Sequence, residues 1–569
     1  MRHRSLVSIA AVGLVALSFL GQSALLRSQA PPVVALTGQV SSAEEGPMEG
    51  VLVSAKKTGS TITTTVVSDA SGRYAFPAAA FPADAFPADS VDPGQYTVTI
   101  RAIGYELGAA ASVNLAAGRP AKADLTLTRA RDLSAQLSNA EWIMSMPGTD
   151  QEKRLLLNCI TCHTLQPVAR STHTAAEWPA VLERMANYVN QSSPLHVQRR
   201  KADRLYEDRG DARVQNWKRQ GEYLARVNMS AGSWSYALKT LPRPTGKNTR
   251  AVITEYDLPR PTIQPHDVIL DGAGTAWYSN FGEQAIGKMD PKTGKVTEFT
   301  IPMHKPGFPT GQLGLQSDRD GTLYFGMMYQ AGVARFDPKT GKFSVLDIPQ
   351  EFNRDMTQIN MPAPQSSHVD GKVWTQNNGF AVVHRIDLAT GTSETFKPFG
   401  DPKDGENHNI YDIIPDAGNN LYFTDFVHEH VGRIDAKTGE FKLWAMPTRD
   451  ASPRRAQMDA QGRLWIGGYR GNKVAMFDTR TERFQEWDPP TAWSAPYDVV
   501  LDKRGFAWTG SMSTDRVLRL DPASGEFTEY QLPRTTNIRR VFVDNRGSRP
   551  VFWVGNNQGA SIIKLETLD

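Results

Sequence analysis

The only two cysteines of the chain and an adjoining histidine form the segment with the clearest chemistry, Cys159-Ile160-Thr161-Cys162-His163. Two thiols separated by two residues can add to the two vinyl groups of a haem, and the neighbouring imidazole can then bind the iron. Zinc would require two more sulfur or histidine ligands at similar spacing, and the sequence has no second cysteine pair. A thioredoxin-like disulfide would require a βαβ context, whereas these flanks are helical in pattern. The motif therefore predicts one covalent c-type haem, attached to Cys159 and Cys162, with His163 as proximal iron ligand.

The sixth iron ligand is less well defined by the sequence. Met185 lies on the predicted helix that follows the motif, where its thioether could face the iron, although methionine also fills gaps in ordinary cores. His196 is the main rival and Met229 a second one, whereas His173 is expected at the surface. An open sixth position would leave the iron available for catalysis. We predict Met185 as the distal ligand.

Residues 1–30 have the pattern of a signal peptide. Arg2 and Arg4 precede an apolar run over residues 6–20, and small residues follow at 28–30. The apolar run is shorter than the roughly 20 residues that a spanning helix prefers, so we expect cleavage, with a retained anchor as the alternative. No later segment is apolar enough to cross a bilayer. We therefore expect a periplasmic or secreted protein, which agrees with haem attachment outside the cytoplasm.

Composition narrows the class of protein further. The chain has 569 residues, so several domains are expected. Its net charge of +3 is small and no dense basic run is present, which argues against a nucleic-acid partner. The 46 glycines and 36 prolines favour turn-rich β structure. The sequence thus predicts a multidomain, mainly β protein.

Residues 31–130 alternate apolar and polar side chains with period two, which predicts a small β-sandwich. Three tandem Ala-Phe-Pro-Ala repeats over residues 75–88 predict a protruding loop, because proline cannot join a central strand. Residues 69–74, 93–98 and 104–105 resemble the carboxypeptidase regulatory-like domain. The resemblance implies a spacer or binding module, and no peptidase motif accompanies it.

Residues 131–245 have helical periodicity, with candidate helices over residues 152–157, 176–190 and 213–227. The first of these leads into the cysteine motif, and the last contains Tyr223 and Leu224. This arrangement resembles a cytochrome c domain. The resemblance implies an α-helical haem domain that transfers electrons.

Residues 250–569 contain a repeat marked by one aromatic residue per unit, and the markers are 43 to 50 residues apart. That spacing corresponds to one four-stranded blade per unit and predicts a seven-bladed β-propeller. The last unit is one strand short, and residues 253–259 have the missing pattern, so this N-terminal strand should close the ring. The markers are Trp277, Tyr324, Trp374, Tyr422, Trp465, Trp508 and Trp553.

Residues 264–268, 285–290 and 297–299 resemble motifs of the streptogramin (virginiamycin B) lyase family. The resemblance spans all seven units and implies a seven-bladed propeller whose enzymes use magnesium, histidines and glutamates. The family's proton-abstracting histidine corresponds to His266, but Gln264 stands where the family has glutamate. A second proline–histidine pair is also absent. We therefore expect no magnesium site.

The same inner-strand position can be followed through the other units. It gives a central funnel of histidine, tyrosine and arginine side chains that suits an anionic or polyol ligand, such as a small molecule or a polysaccharide. The third unit is too short to align. Each of these side chains could equally be a packing residue on a propeller face. The candidate catalytic or binding residues are His266, Tyr411, Arg454, Tyr497 and Arg539, with Leu313 in the second unit.

These features together predict an exported haem protein that passes electrons between an external carrier and a substrate or cofactor bound by the propeller. The carrier would be a redox protein or a quinone-type molecule. A lyase-like or hydrolytic propeller with an accessory cytochrome is the alternative. A third hypothesis is a protein that binds polysaccharide or other envelope components.

Overall fold

The computed structural model describes residues 34–77, 93–116, 119–202, 210–400 and 407–568. The predicted signal peptide and most of the proline-rich repeat lie outside these residues. The described chain is mainly β, and its α-helices are confined to residues 139–227. No described helix combines the length and the apolar character needed to span a membrane.

The N-terminal part, called the sandwich here (residues 34–129), consists of two sheets around one apolar core. Leu36, Val53 and Val98 are among the fully buried side chains of that core. One sheet contains β1, β2, β5, β7, β9 and β10, and the other contains β3, β4, β6 and β8. The strands are β1 (Val34–Ser42), β2 (Gly46–Pro47), β3 (Leu52–Lys57), β4 (Ile62–Val67), β5 (Arg73–Pro77), β6 (Gly94–Arg101), β7 (Tyr105–Leu107), β8 (Ala111–Leu115), β9 (Ala121–Lys122) and β10 (Leu125–Arg129).

The helical segment (residues 131–245) follows the sandwich. Its haem-motif helix, α2, begins with a capping box, in which the Thr149 hydroxyl accepts from Glu152 N and the Glu152 carboxylate accepts from Thr149 N. The helix ends at the first cysteine of the motif. The helices are α1 (Asn139–Ser145), α2 (Asp150–Cys159), α3 (Gln166–Ala169), α4 (Trp178–Ala186) and α5 (Asp211–Val227).

Seven four-stranded units form the C-terminal propeller, and their inner strands contact one another around a ring. The predicted number of blades is confirmed. From inner to outer strand, blade 1 is β12 (Pro265–Leu270), β13 (Ala276–Asn280), β14 (Ala285–Met289) and β15 (Val296–Thr300); blade 2 is β16 (Leu315–Ser317), β17 (Leu323–Gly326), β18 (Gly332–Asp337) and β19 (Lys342–Asp347); blade 3 is β20 (Ile359–Ala363), β21 (Lys372–Asn377), β22 (Val382–Asp387) and β23 (Ser393–Phe396); blade 4 is β24 (Ile410–Pro415), β25 (Leu421–Asp425), β26 (His430–Ile434) and β27 (Phe441–Ala445); blade 5 is β28 (Pro453–Met458), β29 (Arg463–Gly468), β30 (Lys473–Asp478) and β31 (Arg483–Trp487); blade 6 is β32 (Pro496–Leu501), β33 (Ala507–Ser511), β34 (Arg516–Asp521) and β35 (Glu526–Gln531); and blade 7 is β36 (Ile538–Asp544), β37 (Val551–Asn556), β38 (Ser561–Thr567) and β11 (Ala251–Asp257).

The aromatic markers lie on the second strand of each blade and are buried between blades. A carboxylate six residues earlier fixes several of them. The indole nitrogen of Trp277 donates to Asp271 at 2.9 Å, and that of Trp508 donates to Asp502 at 2.7 Å. Each repeat unit therefore specifies both the second strand of a blade and the turn that precedes this strand.

The first propeller strand, β11, pairs antiparallel with the last strand, β38, from Ala251 opposite Thr567 to Asp257 opposite Ser561. This confirms the predicted closure of the ring. The other edge of β11 pairs with β4 of the sandwich, so blade 7 and one sandwich sheet form a continuous eight-stranded sheet. The sequence did not predict this second pairing.

Candidate functional site

A β-bulge near the start of the inner strand builds the centre of the propeller. In six blades the register between the inner and second strands shifts by one residue there, as between Pro265 and Val268 in blade 1. A bulge breaks the strict alternation of side chains, so two successive residues can point towards the axis. We call the first residue of each pair the upper-ring residue and the second the lower-ring residue. The upper ring contains His266, Tyr411, Arg454, Tyr497 and Arg539. The lower ring contains Asp267, Asp412, Arg455, Asp498 and Arg540.

Three upper-ring residues from different blades form a hydrogen-bonded chain that ends on a lower-ring carboxylate. The hydroxyls of Tyr411 and Tyr497 are 2.6 Å apart, and the Tyr497 hydroxyl lies 3.2 Å from His266 Nε2. His266 Nδ1 lies 2.6 Å from Asp267 Oδ1. Because the carboxylate only accepts, Nδ1 carries a proton and donates to Asp267. The structure thus brings three of the five predicted funnel residues into one chain.

His266 is fully buried, and burial lowers its pKa to about 3. Burial opposes ionisation of Asp267 as well, but the Arg455 guanidinium and the His266 imidazole hold the pKa of this carboxyl below its usual range. At neutral pH the pair is therefore a neutral imidazole beside a carboxylate. That is the protonation state the hydrogen-bonded chain requires.

Arg454 lies in a cage of four aromatic rings. Among the described residues, no carboxylate lies within 4 Å of its guanidinium, and its Nε is buried without a hydrogen-bond partner. Cation–π attraction to the ring faces stabilises this buried charge, and the guanidinium also donates to Met512 Sδ at 3.4 Å. The cage consists of Tyr411, Phe426, Tyr469 and Tyr497, with centroids 3.8 to 5.3 Å from the guanidinium carbon.

The lower ring contains two groups of ion pairs. Arg455 donates to Asp412 at 3.0 Å and to Asp267 at 3.2 Å, and Arg540 lies 3.2 Å from Asp498. All five side chains are buried. Removing one partner would leave a buried charge uncompensated, so this ring fixes the positions of the inner strands beneath the upper ring.

The helical segment covers the upper ring. The last carbonyls of a helix have no partner within the helix, and the helix dipole makes this end negative. The Leu157 carbonyl in the last turn of α2 and the Ile160 and Thr161 carbonyls just after the helix accept hydrogen bonds from the propeller. The bonds run from Tyr469 to Leu157, from Asn537 and Gln558 to Ile160, and from Arg539 to Thr161, at 2.6 to 3.0 Å. The propeller face therefore caps the C-terminal end of α2, and the predicted funnel residue Arg539 is one of the donors.

A second contact extends this cover. Gln264 donates to the Gln191 carbonyl at 2.8 Å, and Gln198 donates to the Gly282 and Thr310 carbonyls at 3.1 Å. All three glutamine side chains are buried. Gln264, which replaces the glutamate of the lyase pattern, thus has a structural role at this interface.

The residues of the predicted haem motif lie on one turn at the end of α2. Cys159 and Cys162 are unpaired, and the amides of Cys162 and His163 both lie within hydrogen-bonding distance of the Cys159 carbonyl, in one turn. His163 Nδ1 lies 2.7 Å from the Thr164 carbonyl. A carbonyl only accepts, so Nδ1 carries the proton and Nε2 keeps its lone pair, which is the tautomer that an iron ligand needs.

The thiols differ from those of a redox disulfide site. Burial raises the pKa of Cys159 to about 12 and also raises the pKa of Cys162. Reactive thiols in Cys-x-x-Cys enzymes have lowered pKa values, because the thiolate is the nucleophile. Cys159, Leu155, Val181 and Leu182 are all partly buried and pack against one apolar cluster of the helical segment and the propeller. The residues present fit a covalently held porphyrin.

Met185 lies on α4, one turn beyond Val181 and Leu182, and is exposed at 39%. It thus continues the helical face of Val181 and Leu182, which packs against the same apolar cluster as Cys159. Among the rivals, His196 has a buried, unpartnered Nδ1 and lies in the 188–199 hairpin, whose Asn190 carbonyl is 3.9 Å from Cys162 Sγ. Met229 follows α5 and donates its amide to the Ser171 carbonyl. His173 stacks edge-to-face on Trp178.

Sequence reasoning missed several residues of the centre. The third blade does align, because Ile359 pairs with Asn377 as Pro265 pairs with Asn280, and this places Asn360 at the upper-ring position. The lower ring was missed entirely. Its signal is a charged residue directly after the upper-ring residue in five blades.

Among the described residues, no group of three or more histidine, cysteine, aspartate or glutamate side chains is arranged to hold a metal ion.

Comparison with known proteins places the similarity in the propeller. The model of the virginiamycin B lyase family matches residues 404–568. The C-terminal part of the chain is therefore virginiamycin B lyase-like. No curated protein matches the chain in a sequence search.

Solved structures similar to the chain include virginiamycin B lyase from Staphylococcus aureus. It is 20% identical, with a TM-score of 0.48 over 56% of this chain and 100% of that one. A streptogramin B lyase structure is 21% identical, with a TM-score of 0.47 over 57% of this chain and 100% of that one.

Proposed function

We propose that the chain is an exported c-type haem protein that transfers electrons, with the haem held against the propeller face. The observation that carries the proposal is the His163 tautomer, which leaves Nε2 available for iron beside two unpaired thiols on the same turn. A bound haem c would supply one-electron chemistry. The periplasm is the proposed compartment.

The residues have distinct roles in this proposal. Each thiol adds across a vinyl group, so that sulfur bonds to one carbon and the thiol hydrogen goes to the other, and no oxidant is consumed. His163 would hold the iron through Nε2. Met185, on α4, is the second proposed iron ligand. The propeller holds the attachment turn by its carbonyls.

Haem retention tests this proposal. Protein expressed with a haem-attachment system should keep its haem after acid–acetone extraction, because two thioether bonds hold it. The double variant Cys159→Ser/Cys162→Ser should release all of it. Thr161→Ala, within the same turn, is the matched control and should keep its haem. A wild-type protein without haem, or a double variant that retains it, would overturn the proposal.

The family match over residues 404–568 favours a second candidate, a lyase-like propeller to which the helical segment is an accessory. The solved relatives are named as lyases of virginiamycin B or streptogramin B. In this chain the neutral His266 would be the base. Incubation with a type B streptogramin and magnesium, followed by mass spectrometry, tests for ring opening. Opening that disappears in His266→Ala would support the lyase; an unchanged antibiotic would exclude it.

A further inference from the structure

One cation of the propeller's upper ring lies directly against the predicted attachment turn. Arg539 Nη2 donates to the Thr161 carbonyl at 2.6 Å, and Thr161 lies between the two cysteines of the motif. Arg539 Nε donates to Asn537 Oδ1 at 3.0 Å, and the guanidinium carbon lies 4.9 Å from the centroid of the Phe281 ring. These three contacts fix the position of the guanidinium relative to the turn.

The charge of Arg539 is buried and has no ionic partner. The residue is 3% exposed. Among the described residues, no carboxylate lies within 4 Å of its guanidinium, whereas the neighbouring Arg540 pairs with Asp498 at 3.2 Å. The groups that contact Arg539 are a backbone carbonyl, an amide oxygen and an aromatic face, and none of them carries a net charge. A full positive charge therefore remains beside the turn.

The polar groups around Arg539 do not neutralise this charge. His266 is a neutral imidazole, and burial raises the pKa of the Tyr469 and Tyr497 phenols, which are therefore neutral as well. The carboxylate of Asp267 accepts from His266 and is matched by a lower-ring guanidinium. In such a buried region the effective dielectric constant is lower than in water, and salt screens little. The field of Arg539 therefore extends across the attachment turn.

We infer that Arg539 raises the reduction potential of a haem held on this turn, so that the propeller sets the driving force of electron transfer. The inference rests on the proposed haem function. Ferric iron carries one more positive charge than ferrous iron, so a fixed cation nearby favours the reduced form.

The size of the effect follows from the distance between the charge and the iron. His163 follows Thr161 by two residues, which places the guanidinium roughly 10 Å from the proposed iron position. At that distance, with an effective dielectric constant of about 20, one unit charge changes the reduction equilibrium by about tenfold. A tenfold change corresponds to about 59 mV for one electron.

The test is a mediated spectroelectrochemical titration of the haem bands in the full holoprotein. Arg539→Met should lower the reduction potential by about 59 mV, and this shift should persist at high salt because the charge is buried. Arg539→Lys keeps the charge and should keep most of the wild-type potential. Arg546→Met is the matched control from the same blade, since Arg546 pairs with Asp544 at the surface, and it should titrate as the wild type does.

Hydrogen exchange over residues 159–163 in the same variants separates the charge from the hydrogen bond to Thr161. If Arg539→Met and Arg539→Lys loosen the turn equally and lower the potential equally, then Arg539 acts as a cap and the inference is wrong. An unchanged potential in Arg539→Met, or a shift that disappears at high salt, contradicts it too. Wild-type protein that holds no haem after acid–acetone extraction refutes the proposed function itself, and this inference with it, before any potential is measured.

Discussion

His266 should make the folded protein sensitive to acid. Its pKa is about 3 when folded and about 6.5 when unfolded, so the unfolded chain binds a proton that the folded chain excludes. Stability from this residue is complete above about pH 6.5 and is lost as the pH falls towards 3. At about pH 4 the loss should be about 3 kcal/mol. In His266→Gln, whose amide can bond Asp267 and Tyr497, this part of the loss should disappear.

Urea unfolding near pH 7 and near pH 4, followed by tryptophan fluorescence, measures this difference. The exposed His368 supplies the control, because His368→Gln should keep the wild-type pH dependence. If His266→Gln loses as much stability in acid as the wild type, then the buried neutral imidazole is not the cause.

Met185 provides a second test at the scale of single residues. If its thioether binds the iron, Met185→Ala should abolish the weak near-infrared sulfur-to-iron band of the ferric protein and lower the reduction potential. Met303→Ala, an exposed methionine on the propeller, should change neither. An unchanged Met185→Ala spectrum would move the assignment to His196, Met229 or an open position.

The upper ring shows what the sequence could and could not predict. The repeat places His266, Tyr411 and Tyr497 at one position, and the structure joins them by hydrogen bonds. The lower ring could not be predicted from the regular alternation of side chains along a strand. That alternation would point the residue after an upper-ring residue away from the propeller axis. The bulge changes that local rule, and nothing in the hydrophobic pattern marks it. Adjacent charged pairs such as Arg454 and Arg455 are the signal that remains.

At the scale of elements, the C-terminal end of α2 and the propeller face depend on each other. The sequence predicted both elements, but contacts between separately repeating parts have no periodic signature. Arg539→Met removes a charge-assisted hydrogen bond to the Thr161 carbonyl, and such a bond is worth about 1.5–3 kcal/mol. We expect the helical segment to lose stability by about that amount. Amide hydrogen exchange over residues 159–163 should become faster.

Hydrogen exchange measured by mass spectrometry, together with urea denaturation followed by tryptophan fluorescence, tests this coupling. Arg546→Met is the control from the same blade, since Arg546 bonds Asp544 at the surface. Exchange in the attachment turn should remain at the wild-type rate in that variant. Equal exchange in both variants would show that the cap does not stabilise the turn.

At the scale of the whole molecule, the sandwich and the propeller share one sheet. β11 closes the ring on one edge, as the sequence predicted, and pairs with β4 on the other. Val252 of β11 packs in the sandwich core, and Ile62 of β4 packs in a propeller core. Lys56 pairs with Asp257 across the same junction at 2.5 Å. The sandwich therefore covers a strand edge that a free propeller would expose.

Deleting the sandwich, so that the chain begins at Asp132, should expose this edge while keeping the helical segment in place. We expect a lower melting temperature and association that grows with protein concentration, because an unpaired edge recruits further strands. Val252→Lys in the shortened chain places a charge on the newly exposed edge and should restore a monomer. The same substitution in the full chain should destabilise it by several kcal/mol, since the lysine would enter the sandwich core. Analytical ultracentrifugation and thermal melts of the four proteins measure both effects. A shortened chain that stays monomeric and melts with the full protein would show that β4 adds no protection to the closing strand.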